Sequence, residues 1–153
     1  MRTFASMTVL LAAACSHGPA PSSMPDPAGL TRQLAAQFGR SAEAWNRGDL
    51  DGFMSDYAAD TLPTFISRGH LRRGFDFIRS NYEPAFRPGA RRDSLRFEEF
   101  NVRPVGADYA LVTARYILYR NGETTASGPF TLLMQHRPEG WRILHDHSSS
   151  DTP

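Results

Sequence analysis

The sequence predicts an α+β domain in which three N-terminal helices cover one face of a curved antiparallel sheet. Three observations carry this. The first half repeats apolar residues at helical spacing. The second half turns to strand composition, rich in β-branched and aromatic residues. Between two of its apolar runs stands Asn121-Gly122, the strongest short hairpin signal available.

The elements follow in order. Leu30, Leu34, Phe38, Ala42 and Trp45 form one helical stripe, which Gly48 ends as a left-handed cap. Asp49 caps a second helix with the apolar set Leu50, Phe53, Met54 and Tyr57, closed by Pro63. Thr64-Phe65-Ile66 and His70-Leu71 read as short strands around an Arg68-Gly69 turn. Phe75, Ile78, Tyr82 and Phe86 give a third helix that Pro84 should kink or end, and Pro88-Gly89 breaks the chain. From Leu95 to Val105 the alternation changes phase, so a bulge near Glu98-Glu99 is expected. Tyr109 to Arg120 and Phe130 to His136 are strands on either side of the Asn121-Gly122 hairpin. A Pro138-Glu139-Gly140 turn leads into the last strand, Trp141 to Ser149.

Residues 1–14 have the layout of a secretory signal peptide. Arg2 is followed by an apolar run, Phe4 to Ala14, too short for the roughly 20 residues of a membrane span. "LLAAAC" ends at Cys15, the only cysteine, and resembles a bacterial lipobox whose cysteine becomes lipidated. Residues 15–28, rich in Pro, Ser and Gly, read as a tether, leaving 29–150 as the folded domain. The expected address is the periplasm or cell envelope, with membrane attachment only through the lipid. Formal net charge is +1, which gives no field for nucleic acid or an anionic bilayer. Every basic residue is Arg. The pairs Arg72-Arg73 and Arg91-Arg92 are too short for a nucleic-acid stripe.

Three stretches resemble the nuclear transport factor 2-like superfamily, in its SnoaL-like branch. They are "EAWNRGDLDGFMSDYAAD" at Glu43 to Asp60, "RG" at Arg73-Gly74 and "GWRILHDHSS" at Gly140 to Ser149. The resemblance implies a cone-shaped fold related to ketosteroid isomerases and polyketide cyclases, commonly dimeric, with a pocket between helices and sheet. It does not imply an activity. The family's isomerases carry an acidic base on the pocket wall, and the sequence singles out no clear counterpart here.

The candidates for chemistry centre on "HDH". On a strand, His145 and His147 share one face and Asp146 takes the other. The two imidazoles lie roughly 7 Å apart, close enough to share a metal, but a third ligand is required. If the Pro138-Glu139-Gly140 turn pairs Arg137 with Trp141, His145 opposes Leu133 and His147 opposes Thr131, neither a ligand, so no metal and no cofactor is expected. The Asn121-Gly122 turn pairs Leu132 with Leu111, which puts Asp146, Leu132, Leu111, Thr113 and Arg115 on one face. A bulge at Gly128-Pro129 would exchange part of the faces, so the alternation leaves open whether Asp146 or the histidines line the pocket. A buried Asp146 would be a general acid or base, with His145 and His147 as alternatives. Arg115 would clamp a carboxylate. Trp45 and Tyr57, on buried stripes, suit either plain core or a pocket wall. The sequence therefore points to an exported homodimer that binds a small organic molecule. A metal-independent isomerase, cyclase or dehydratase and a bare dimerisation module are the alternatives.

Overall fold

The computed structural model describes residues 24–151; the leader and Cys15 lie outside them. Helix α1 (Pro27–Arg47) starts where the Asp26 carboxylate accepts the Gly29 N–H at 2.7 Å, with proline in its first turn. It therefore takes in Pro27 and Ala28, which the sequence reading gave to the tether. It ends at Gly48, whose φ of 84° lets its N–H turn back to the carbonyls of Ala44 and Trp45. Asp49 caps α2 (Leu50–Met54) as expected, by accepting from the Gly52 N–H. This helix is shorter than its apolar pattern suggests. Tyr57 lies beyond it and forms an isolated bridge to Ile143 in the last strand.

A two-residue turn, with Arg68 at φ 50° and Gly69 at 73°, joins β1 (Thr64–Ser67) to β2 (His70–Arg73). Helix α3 (Phe75–Phe86) carries Pro84 in its last turn and continues through it. Four long strands follow: β3 (Ser94–Pro104), β4 (Tyr109–Arg120), β5 (Glu123–Arg137) and β6 (Gly140–Ser148). The sheet order is β2-β1-β6-β5-β4-β3. Every pairing is antiparallel except β1 with β6, which is parallel, so the sheet is mixed at that seam.

One sheet face meets the helices. Phe38 of α1 lies against Phe97, Phe100 and Phe130, with centroids 5.6 to 6.3 Å apart. A second aromatic cluster joins Trp45, Phe53, Tyr82 and Phe86 beneath α3. Edge-on contacts predominate among these rings, the arrangement their quadrupoles favour.

Three bulges set which side chains face this core. The expected one in β3 lies between Glu98 and Asn101, with Glu99 at φ 58°. The other two are corrections. On β5 the register with β4 shifts where Leu118 pairs Ala126 and Tyr119 pairs Thr124, which leaves Thr125 unpaired. Leu132 therefore opposes Val112, not Leu111. On β6 the turn is tighter than expected: Arg137 pairs Gly140. A shift between Ile143 and His145 then leaves Leu144 unpaired. The two departures offset each other, so His145 still opposes Leu133 and His147 still opposes Thr131.

Candidate functional site

The Leu144 bulge settles the direction of "HDH". Trp141 and Ile143 face the core, and strict alternation would carry His145 and His147 inward after them. The extra residue reverses the phase, so Asp146 is buried and the histidines lie on the outer face. His145 shares a 2.7 Å hydrogen bond between its Nδ1 and the Thr64 hydroxyl. Burial, and then the charge of His147, hold its pKa down. His147 is exposed. Neither can act as proton carrier inside the cone. Among the described residues no three His, Cys, Asp or Glu side chains are grouped to hold a metal.

Arg115 is likewise displaced. The Thr125 bulge puts Val112 and Ala114 inward and Arg115 outward, opposite Pro129. There it pairs with Asp151, near the end of the described chain. It cannot share a cavity with Asp146. Trp45 is buried, and its Nε1 donates to the Asp93 carbonyl at 2.8 Å, so its polar tip is already engaged. Tyr57 alone of the expected ligand-binding residues meets Asp146.

That meeting is the centre of the site. The Tyr57 hydroxyl donates to Asp146 Oδ2 at 2.6 Å, and Ser148 Oγ donates to Oδ1 at 2.9 Å. Phe65 and Leu132 flank Asp146 on the neighbouring strands, so the carboxyl has apolar walls on both sides. Burial pushes its pKa up to about 6, against the pull of the Tyr57 and Ser148 hydrogen bonds and of His147. Burial, followed by the Asp146 charge, holds the Tyr57 hydroxyl well above its ordinary value. The hydroxyl of Tyr82 lies beside that of Tyr57 and is raised by the same two causes. Tyr82 as a whole is half-buried. A carboxyl that titrates near pH 6 can donate or accept a proton close to neutrality.

Two open grooves flank Arg79, outside this interior. One, of about 480 Å³, runs between Asp49, Leu50, Glu83 and Phe86. The other, of about 310 Å³, touches Tyr57, Phe75, Glu139 and Arg142. Neither reaches Asp146. Between helices and sheet, aromatic side chains pack on one another as core.

Sequence reasoning missed Tyr82 as a polar neighbour, having read it only as part of an apolar stripe. It also missed Asp56. That carboxylate is buried and accepts from Gln37 Nε2 at 2.8 Å and from the Ser41 hydroxyl. The six residues between Asp49 and Asp56 offer no local signal of burial, because nothing marks where α2 stops.

Comparison with known proteins supplies the family context. Residues 34–153 match a family model described as a SnoaL-like domain. A crystal structure of an NTF-2 like protein of unknown function from Shewanella oneidensis is 31% identical, covering 78% of this chain and 98% of that one, with a TM-score of 0.67. A protein of unknown function from the DUF3225 family of Pectobacterium atrosepticum is 25% identical, covering 85% and 100%, with a TM-score of 0.60. A cystatin-like fold domain of unknown function from Nostoc punctiforme is 25% identical, covering 80% and 77%, at 0.63. No curated protein matches the chain significantly.

Proposed function

The chain belongs to the SnoaL-like domain family, and from that premise we propose that it binds a small, partly apolar organic molecule at the Tyr57–Tyr82–Asp146 cluster. The fold is commonly a ligand-binding or isomerase-type domain. The single observation that supports this reading is a buried carboxyl that titrates near pH 6 and is held by a buried tyrosine hydroxyl. Such a group costs folding energy unless a partner uses it. A thermal-shift screen of the full chain with small phenols, ketones and carboxylic acids tests it. At a hundredfold excess over Kd a ligand stabilises by about 2.7 kcal/mol, several degrees in Tm. Tyr57→Phe and Asp146→Asn should each reduce that shift while leaving the unliganded fold intact. A panel that moves no melting temperature overturns the proposal.

The raised pKa favours one second reading, an acid–base enzyme of isomerase, cyclase or dehydratase type. In that case Asp146→Asn preserves binding and abolishes turnover, whereas for a pure binder it weakens binding. Export, lipidation at Cys15 and homodimerisation belong to the same proposal. Membrane fractionation and sedimentation of the full chain check them.

A further inference from the structure

We infer that Arg72 anchors a carboxylate on the ligand, so that the molecule bound is a small aromatic acid lying between the β2 edge of the sheet and Tyr82. The inference rests on the binding reading above and names its substrate class. Its basis is a row of residues that the strand registers place side by side. Arg72 opposes Phe65, Phe65 lies beside Asp146, Asp146 opposes Leu132, Leu132 opposes Val112, and Val112 opposes Val102. All but Arg72 are buried on the helix-facing side. Arg72 is half-buried, while its neighbours Leu71 and Arg73 are exposed, as alternation requires of a side chain turned to that side.

The second observation concerns partners. Seven arginines are half-buried among the described residues: 72, 79, 92, 115, 120, 137 and 142. Six of them are engaged. Arg79, Arg115, Arg120 and Arg137 pair with carboxylates, and Arg92 and Arg142 donate to backbone carbonyls. Arg72 alone among them makes neither an ion pair nor a side-chain hydrogen bond within the described chain. A guanidinium turned toward an apolar face without an anion leaves a strong, planar, two-pronged donor set unused.

The surroundings specify the rest of the ligand. Arg72 is near enough to the Tyr82 hydroxyl for its charge to favour the phenolate there. The Phe65 and Tyr82 rings lie 5.8 Å apart, centroid to centroid, beside it. An aromatic body against these rings, with a carboxylate on the Arg72 fork, satisfies both features. Two strand spacings, roughly 10 Å, separate Arg72 from Asp146, with the Phe65 side chain between them. A lone guanidinium on an aromatic wall suits a flat carboxylate better than a phosphate, whose extra charge would go unmatched.

The test is a calorimetric titration of the full chain with benzoate, 4-hydroxybenzoate and the neutral isostere benzamide. Both acids should bind, with Kd on the order of 1 mM or tighter, and benzamide at least ~10-fold more weakly. Arg72→Gln should weaken benzoate ~10-fold or more and leave benzamide unchanged. Its melting temperature should match the parent, because Arg72 contributes no contact that the variant loses. Equal affinity of Arg72→Gln for benzoate overturns the inference, as does benzamide binding as tightly as benzoate. Displacement of benzoate by an equal concentration of inorganic phosphate also overturns it. No benzoate binding up to about 10 mM does the same, and leaves the broader binding proposal to stand or fall on its own ligand panel and on Asp146→Asn.

Discussion

Asp56 and Asp146 are equally buried, each 6% exposed, yet they sit in regions of opposite character. Asp56 occupies the seam between α1 and the sheet. Gln37 and Ser41 of α1 both donate to it, Gln37 also donates to the Trp141 carbonyl, and the Asp56 carbonyl accepts the Ile143 N–H. Arg142 and Arg40 add a favourable field. Asp146 sits at the middle of the sheet with two hydroxyl donors, apolar flanks and only His147 as a nearby cation. Burial raises the pKa of both. Equal burial therefore does not mean an equal role. The first carboxylate is saturated by donors from the element it fastens. The second titrates near pH 6 and is held by the hydroxyls of Tyr57 and Ser148.

The largest effect that would break this contrast is expected at the seam. Asp56→Ala removes two hydrogen bonds and strands Gln37 and Ser41, so it should destabilise by about 2–4 kcal/mol in urea unfolding. A loss below about 0.5 kcal/mol would show that the seam holds without it.

Asp146→Asn should act differently, through pH. The Asp146 pKa rises on folding from 3.8 to about 6, so between those values the native state binds more protons than the unfolded one. Stability from this group is complete below pH 4 and is lost as pH rises through 6. The loss approaches about 3 kcal/mol for a shift of this size. The asparagine variant lacks that slope and should gain on the parent steadily from pH 4 to pH 7. A parent-minus-variant difference that stays flat over that range would show that folding does not raise the Asp146 pKa. The smallest effect is expected on the outer face. His147→Gln should shift stability by less than about 0.5 kcal/mol, and a larger loss would mean that the exposed imidazole supports the buried acid more than its position suggests.

The fold was legible because its signals are local. The α1 stripe, the Gly48 stop, the Asp49 cap, the Arg68-Gly69 and Asn121-Gly122 turns and the β3 bulge all announce themselves within a few residues. The site was only half legible, because two decisive features are single unpaired residues, Thr125 and Leu144, with nothing in the neighbouring sequence to mark them. Each moves a candidate across the sheet: Arg115 outward, Asp146 inward. Arg72 was within reach. A two-residue turn at Arg68-Gly69 already opposes it to Phe65, and only its reading as half of a basic pair concealed that.

Leu144 carries a consequence for how this protein could change. The character of its interior is decided by counting, not by any one side chain, since an unpaired residue decides which of three adjacent groups points inward. Exchanging Leu144 for another amino acid would leave that choice untouched, and so would excising it, since the remaining pairs already form a regular ladder; only drawing Leu144 into the ladder would bring two imidazoles into the place of one acid. An enzyme or receptor built this way could trade an acidic lining for a basic one by a one-residue slip of its last strand, with no change of composition.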